Sequence, residues 1–326
     1  MRACILNGVG DHTHLQVVQM KEPVDIGPEE VLIQQTALGV NFDDVMYRRG
    51  DYPIPEAYGK TPILGFEAVG TVLRKGDAVK GFNVGDQVGY GFCPLGGYAE
   101  QRVIDYHFLL SVPQEFTPET VAGVLRKGLT AEYLLFHTFA PRKGNWILIH
   151  SVAGGVGQIM AKWAKFAGLN VIGTVCDDSK LSIALATGCD FVINRATEDI
   201  VAKVAEYTNE VGVHAVFDGI GKPVFEKSLK SLKPGGLYVS YGYAGGKLDP
   251  IDVMELRKRC LFFTAPVLEL YKRNRFELIY AASAVFDMLR KGVIAPNISR
   301  YGMDGIQQVH ADLESGKTTG SIVINC

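Results

Sequence analysis

One glycine-rich segment limits the possible folds of this chain more than any other feature. Residues 151–157 read SVAGGVG, and they lie between a short apolar strand pattern at 146–149 and a helical pattern at 157–167. Glycines at such a junction allow a tight turn, and they let the backbone approach a pyrophosphate whose charge rests on the helix N-terminus. This context predicts the phosphate-binding loop of a dinucleotide-binding βαβ unit.

The alternation of strand and helix patterns continues beyond this loop. The further strand patterns lie at 170–175, 191–193, 215–217, 237–241 and 261–265, and helical patterns at 179–187, 199–206 and 224–232 separate them. Near-continuous apolar strands that alternate with helices indicate a parallel sheet with both faces covered. The fold class predicted for this part is therefore α/β.

The first third of the chain has a different pattern. Short alternating strands at 15–19, 30–36, 68–73 and 87–90 are separated by Gly, Pro and Asp, which predicts a small β-barrel or sandwich. The tail has a helical pattern at 276–291 and a strand at 321–324. Its last ~35 residues are too few to fold alone, so we expect them to return to the N-terminal domain. The predicted domains are 1–123 with 268–326, and 124–267.

Composition excludes several other classes of protein. The chain has 326 residues, enough for about two domains, and a formal charge of -2, which gives no strong field for nucleic acid. No apolar run approaches the ~20 residues of a membrane span. The six cysteines form no C-x-x-C pair and suit a reducing compartment, so we expect a cytoplasmic protein. From the charge and the short apolar runs we expect that it binds neither nucleic acid nor membranes.

Several motifs resemble, in the same order, those of one family. The sequence is similar over essentially its whole length to the zinc-independent medium-chain dehydrogenases/reductases, and among them to the quinone oxidoreductases of the zeta-crystallin type. The segments that carry the resemblance are GVNFDD at 39–44, RGDYP at 49–53, GFEAVG at 65–70, GGYAE at 96–100, KGLTA at 127–131, AGGVG at 153–157, FD at 217–218 and GKTTGS at 316–321. The resemblance implies a GroES-like β-barrel domain and a Rossmann domain with a doubly wound parallel sheet, with the active site in the cleft between them.

The resemblance also implies zinc-free chemistry. Zinc-dependent relatives carry Cys at the position of Asn41 and His at that of Phe66, and they have a lobe of four closely spaced cysteines that this chain lacks. Phenylalanine cannot ligate a metal, so we expect neither a catalytic nor a structural zinc. The expected reaction is hydride transfer from NADPH to a quinone, because a hydroquinone anion is delocalised and needs little help from the protein.

Two residues are expected in the acceptor pocket by resemblance. Tyr52 corresponds to the tyrosine assigned as proton donor in related enoyl and enone reductases. Asn41 would line the same pocket and donate a hydrogen bond to an acceptor carbonyl or to the nicotinamide ribose. The alternatives are that Tyr52 only packs near Pro53 and that Asn41 only stabilises its loop.

The expected cofactor contacts follow the loop, the strand ends and the resemblance. They are Thr130, Ala153, Gly154, Gly155, Val156, Cys176, Lys180, Arg195, Tyr241, Gly242, Tyr243, Phe263 and Lys317. Asp177 and Asp178 lie where NAD-specific sites often carry an acid for the ribose 2′-hydroxyl, whereas Lys180, Arg195 and Lys317 suit a 2′-phosphate. We expect NADPH rather than NADH, and arginine at 195 strengthens this expectation by stacking or phosphate pairing.

Two functional alternatives remain open from the sequence. One is reduction of activated alkenes such as 2-alkenals, enones or enoyl thioesters, and the other is binding of NADPH without catalysis. The apolar strand at 261–265 resembles the edge strand through which relatives dimerise, and an exposed apolar edge favours pairing, so a homodimer is predicted.

Overall fold

The computed structural model describes all residues from Met1 to Cys326, and the chain divides into two compact units. The first unit comprises Met1–Lys127, Asn274–Ala282 and Pro296–Cys326; the second comprises Gly128–Arg273 and Ser283–Ala295. The division differs from the sequence-based boundaries chiefly at 283–295, which belongs to the second unit. Val285 packs there against Gly128, where an added Cβ would lie 2.7 Å from Val285 Cγ1.

The first unit is built mainly from antiparallel strands. Its strands are β1 (Arg2–Leu6), β2 (Leu15–Gln19), β3 (Glu30–Val40), β4 (Glu67–Lys75), β5 (Gln87–Tyr90), β6 (Gln101–Asp105), β7 (Leu110–Ser111), β14 (Ile298–Gly302) and β15 (Ser321–Asn325). The larger sheet has the order β14-β15-β3-β4-β5-β7, with β6 paired to β3 and the β1–β2 hairpin separate. Because β15 pairs antiparallel with β3, the C-terminal strand returns to the N-terminal unit.

The second unit contains a six-stranded parallel sheet. Its strands are β8 (Trp146–Ile149), β9 (Asn170–Val175), β10 (Phe191–Asn194), β11 (Val213–Asp218), β12 (Leu232–Ser240) and β13 (Phe262–Thr264). Their order in the sheet is β10-β9-β8-β11-β12-β13, which is the 3-2-1-4-5-6 order of a Rossmann fold. The predicted parallel α/β sheet is confirmed, and the strand order reverses between β8 and β11, where such sheets bind ligands.

The helices complete both units. They are α1 (Phe42–Arg49), α2 (Pro118–Tyr133, continued by a π-helical stretch at Leu134–Phe139), α3 (Gly155–Phe166), α4 (Leu181–Leu185), α5 (Ile200–Tyr207), α6 (Phe225–Ser231), α7 (Val253–Arg257), α8 (Leu268–Tyr271), α9 (Arg275–Arg290) and α10 (Ile306–Glu314). None of them is long and apolar enough to cross a membrane.

Helix α1 fixes the positions of both predicted pocket residues. Asn41 precedes the helix, and its backbone N–H donates to the Asp44 carboxylate at 2.9 Å. Gly50 ends the helix in the left-handed conformation with φ 81°, which most side chains disfavour. Asn41 and Tyr52 therefore flank opposite ends of one short helix that the strand-like pattern of this region did not predict.

Candidate active site

The glycine loop forms an uncapped helix N-terminus at the point where the strand order of the sheet reverses. The N-cap of α3 is Gly154, which has no side chain, so no side-chain hydrogen bond from this position caps the first turn. The amides of the first helical turn have no intrahelical acceptors, so they remain available to an anion, and the helix dipole favours negative charge there. The residues present therefore fit the pyrophosphate of a dinucleotide.

The backbone around this loop requires one rare conformation and one close approach. Ser151 has φ 52°, in the left-handed region that is rare for residues other than glycine. At Gly157 an added Cβ would lie 2.5 Å from Ser151 O and 2.7 Å from Val152 Cα. The side-chain amide of Gln158 donates to Ala153 O at 2.7 Å and holds the turn against the helix.

A buried histidine directly precedes the glycine loop. His150 is fully buried, with Nδ1 3.0 Å from Thr174 Oγ1 and Nε2 2.8 Å from Ser228 Oγ. Ser228 donates its own hydrogen to Val224 O, so His150 Nε2 carries the proton and Nδ1 accepts one from Thr174. Burial lowers the pKa of His150 to about 4, which keeps the ring neutral beneath the phosphate loop.

The turn after β11 is shaped by a buried carboxylate. Asp218 accepts hydrogen bonds from the backbone N–H groups of Ile220 at 2.6 Å and Gly221 at 3.1 Å, and from the Tyr238 hydroxyl. Burial and the neighbouring carboxylate raise the pKa of Tyr238, so its proton stays on the phenol. Asp218 thus holds the loop that borders the reversal of strand order.

Most predicted cofactor residues lie at the carboxyl edge of the parallel sheet. Cys176 is exposed just after β9, Arg195 follows β10 and Tyr241 follows β12. The Arg195 N–H donates to Val175 O at 3.0 Å and the Tyr241 N–H to Asp218 O at 2.9 Å, which ties each residue to the neighbouring strand. Carboxyl ends of parallel strands share one edge, so the structure brings these residues to the side of the sheet that holds the glycine loop.

Three of the predicted cofactor-contact residues lie in environments that differ from those of Cys176, Arg195 and Tyr241. The Phe263 ring stacks on Tyr238 at 5.3 Å between ring centroids, as a packing residue of the sheet face. Thr130 is a half-buried residue of α2. Lys317 is an exposed residue of the first unit, in the turn after α10, whereas Lys180 and Arg195 belong to the second unit.

The two acids after β9 are engaged by local hydrogen bonds. Asp177 Oδ1 accepts from the Ser179 N–H at 2.7 Å and caps a short 3₁₀ turn, and these bonds lower the pKa of Asp177. Asp178 Oδ1 accepts from Asn194 Nδ2 at 2.6 Å. Both carboxylates therefore already have partners in the protein.

In the first unit, Asn41 is bound to a buried ion pair. Asn41 Nδ2 donates to Glu67 Oε2 at 2.9 Å, and Lys127 Nζ donates to the same oxygen at 3.2 Å. Glu67 Oε1 accepts from the backbone N–H of Arg126 at 2.7 Å. Glu67 is fully buried, so these three hydrogen bonds compensate the desolvation of its charge.

Tyr52 belongs to a chain of aromatic rings that ends at a guanidinium group. The Tyr52 ring lies 5.2 Å from that of Tyr47, which lies 5.3 Å from that of Phe66. The guanidinium carbon of Arg126 lies 5.0 Å from the centroid of the Phe66 ring, a cation–π geometry. Both predicted pocket residues are thus linked to Arg126. Asn41 is linked to it through Glu67, and Tyr52 through the rings of Tyr47 and Phe66.

Sequence reasoning did not single out Glu67, Arg126 or Lys127. A usable signal was present, because Glu67 stands between apolar residues where β4 begins, and Arg126-Lys127 interrupts an otherwise apolar stretch of α2. Charged residues are rarely fully buried unless they are paired. The structure contains no group of three or more His, Cys, Asp or Glu side chains that could hold a metal ion.

Comparison with known proteins assigns the family. Residues 27–140 match the alcohol dehydrogenase GroES-like domain, and residues 155–268 match the family described as zinc-binding dehydrogenase. Fold and site thus define an oxidoreductase of the medium-chain dehydrogenase/reductase class, with a GroES-like domain and a Rossmann domain as predicted. Within that class the chain belongs to the zinc-independent quinone oxidoreductase subfamily, as the following relatives indicate.

Three relatives illustrate the similarity. The chain is 39% identical over 304 residues to a 2-haloacrylate reductase of Burkholderia sp, covering 91% of each protein. It is 36% identical over 305 residues to a quinone oxidoreductase of Pseudomonas aeruginosa, covering 93% of each. The crystal structure of Escherichia coli quinone oxidoreductase complexed with NADPH superimposes with a TM-score of 0.96 at 33% identity and covers 100% of both chains.

Proposed function

We propose that this protein is an NADPH-dependent, zinc-free quinone oxidoreductase. The observation that carries the proposal is the uncapped N-terminus of α3 behind a glycine loop, at the reversal of strand order in a Rossmann sheet. The bound cofactor would supply a hydride from its nicotinamide ring. The Escherichia coli relative was crystallised in complex with NADPH, which supports the choice of cofactor.

The preference for NADPH over NADH is proposed from four side chains. Asp177 and Asp178 accept hydrogen bonds from the Ser179 N–H and from Asn194 Nδ2, so each acid is held by a neighbour within the protein. Lys180 and Arg195 flank the ends of β9 and β10, where a 2′-phosphate would lie beside the adenosine ribose. Two positive charges there favour the phosphorylated cofactor.

Separate titrations with NADPH and NADH test this preference. The wild-type protein should bind NADPH more tightly, and the double variant Lys180→Ala/Arg195→Ala should lose most of that difference while its affinity for NADH stays within about threefold. Preferential binding of NADH by the wild type contradicts the cofactor proposal.

Asn41 and Tyr52 are proposed to act on the acceptor. Asn41 Nδ2 commits one hydrogen to Glu67, which limits the rotation of the amide and leaves its second N–H as a donor for a ligand. Tyr52 would orient the acceptor, or give it a proton where the product needs one at carbon. Asn41 is buried and Tyr52 half-buried, and polar groups that are oriented in advance reduce the entropy cost of reaching the reactive geometry.

Reduction of an activated alkene is the second candidate function. It is favoured by the 39% identity to a protein named 2-haloacrylate reductase. A direct test is NADPH consumption with 1,4-benzoquinone, 9,10-phenanthrenequinone and crotonaldehyde. Fast turnover with the quinones supports the first proposal, and turnover with crotonaldehyde alone supports the second. Micromolar NADPH binding without any turnover contradicts both and indicates a non-catalytic binding protein.

We also propose a homodimer formed through β13. This strand pairs with β12 on one side only, and the Phe262 side chain on it is exposed. An unpaired apolar edge favours strand addition from a second copy. Light scattering after size exclusion should give twice the mass of the chain, and Phe262→Lys should shift the protein towards the monomer.

A further inference from the structure

The buried cluster around Asn41 and Glu67 contains a cation, Arg126, that quinone reduction does not require. The Arg126 side chain is only 9% exposed, and it is held on the Phe66 ring at 5.0 Å. Its Nη1 donates to Gly91 O at 3.1 Å, which anchors the group in one orientation. A guanidinium fixed in this way can recognise a planar anion by two parallel hydrogen bonds.

A carboxylate already lies against the outer edge of this guanidinium. Arg126 Nε and Nη2 donate to Asp43 Oδ2 at 3.1 and 2.6 Å. The Asp43 side chain is 39% exposed, in contrast to the buried arginine, so solvent reaches the carboxylate side of the pair. Water screens the charge of Asp43 more than that of Arg126. An incoming carboxylate can therefore compete for the same edge.

The other charges of this cluster are compensated. Glu67 is balanced by Lys127 at 3.2 Å. Asp44 is the remaining acid; it is buried, and burial raises its pKa to about 7. Lys127 is thus paired with a fully buried carboxylate, whereas the Asp43 partner of Arg126 is exposed to solvent.

We propose that this enzyme also accepts an α,β-unsaturated carboxylate, with Arg126 as the residue that anchors the acid group. The inference rests on the proposed function and specifies the substrate class of its alkene alternative. In the reaction, NADPH is oxidised to NADP⁺ and its hydride forms a new C–H bond at C3 of the alkene. The π electrons move towards C2 and the carboxylate, and a proton then bonds to C2.

The charge that develops in this reaction explains the need for arginine. A carboxylate that takes up a hydride at C3 approaches a second negative charge on its two oxygens. A fixed cation that contacts those oxygens is worth more in the transition state than in the ground state, so it accelerates the reaction. A quinone carries no charge before the hydride arrives, and its product is delocalised, so Arg126 contributes less to its reduction.

The test compares an acid with its own ester. Without an anchor, methyl 2-chloroacrylate should be the better acceptor, because an ester withdraws electrons more strongly than a carboxylate. With the anchor, the wild-type enzyme should have a kcat/KM for 2-chloroacrylate at least tenfold above that for the ester. Arg126→Met should reverse the preference, Arg126→Lys should retain part of it, and Asp43→Asn should lower the KM for the acid by removing the competing carboxylate.

A matched control and a binding measurement complete the experiment. Arg74→Met removes another arginine of the same unit, one that donates to Val24 O from the exposed end of β4, and should leave the acid-to-ester ratio unchanged. Calorimetry with NADP⁺ and the saturated acid 2-chloropropionate should detect binding to the wild type and a loss of at least tenfold in Arg126→Met. Unchanged melting temperature would confirm that this variant is folded.

The outcomes separate this inference from the proposed function. A wild-type enzyme that reduces benzoquinone but prefers the ester, or ignores both alkenes, overturns the inference and leaves the quinone proposal standing. An equal loss with acid and ester in Arg126→Met or Arg126→Lys also overturns it. Absence of NADPH oxidation with every acceptor contradicts the proposed function itself.

Discussion

Asn41 Nδ2 donates to Glu67 Oε2 at 2.9 Å within a buried part of the first unit. The bond joins a predicted pocket residue to a carboxylate that also binds Lys127 Nζ and the backbone of Arg126. The orientation of the Asn41 amide thus depends on the charge of Glu67.

Replacing Glu67 should lower the stability of the first unit. Glu67→Ala leaves the Lys127 ammonium buried without its partner, and breaking such a pair costs about 3–5 kcal/mol. Urea denaturation followed by circular dichroism should therefore show a much lower midpoint. The double variant Glu67→Gln/Lys127→Met removes both charges and should recover a large part of the loss. Equal stability of Glu67→Ala and the wild type would exclude an ionic role for the pair.

The two loop glycines should respond differently to alanine. At Gly157 a methyl group would lie 2.5 Å from Ser151 O, so Gly157→Ala should lower stability by about 1–3 kcal/mol even without cofactor. At Gly154 the nearest atom is Ser151 O at 3.2 Å, so Gly154→Ala should fold nearly as well. Both should weaken NADPH binding, measured by nicotinamide fluorescence. A normal melting temperature in Gly157→Ala would contradict the steric argument.

Removing the Tyr52 hydroxyl should separate the two candidate reactions. If Tyr52 protonates carbon, Tyr52→Phe should reduce alkene reduction by about 10²–10⁴-fold, the usual contribution of a general acid. Benzoquinone reduction should stay within about threefold, because its product is protonated on oxygen by solvent. Tyr301→Phe, a half-buried tyrosine of β14, is the matched control. Equal activity of Tyr52→Phe and the wild type towards both acceptors would remove Tyr52 from the mechanism.

His150 should make the stability of the protein depend on pH. Its pKa is about 4 in the folded protein, below the ordinary value of 6.5, so between these values the unfolded chain binds more protons. Stability contributed by neutral His150 is therefore present above about pH 6.5 and is lost as the pH falls towards 4, by up to ~1.4 kcal/mol per pH unit. His150→Gln should lack this component. The quantity to measure is the difference in free energy of unfolding between the wild type and His150→Gln at each pH.

Comparison with the variant isolates His150 from the other buried titratable groups. His310, whose pKa burial lowers to about 3, acts in the same direction as His150. Asp44, whose folded pKa is about 7, acts in the opposite direction, because the folded protein then binds the extra proton and loses stability as the pH rises. Both groups are present in both proteins, so parallel pH profiles of His150→Gln and the wild type would contradict the prediction.

The architecture of the second unit could be predicted almost completely from the sequence. The strands at Trp146–Ile149 and Asn170–Val175 have the predicted bounds, and the others differ by a few residues. Strands buried on both faces give continuous apolar runs, and helices between them give a distinct period, so local pattern suffices. Helix α1 was missed because its eight residues carry four charges and no apolar stripe long enough to recognise.

The sequence by itself determined the fold class, the glycine loop and the family, because these depend on local spacing and on motifs in a fixed order. Only the tertiary structure decided how Asn41 and Tyr52 are related to Arg126. Glu67 lies 26 positions from Asn41 and 60 from Lys127 along the chain. Contacts between residues so far apart depend on the packing of α1, β4 and α2, which no local pattern encodes. A sequence indicates that a charge is present, but burial and the choice of partner determine what that charge can do.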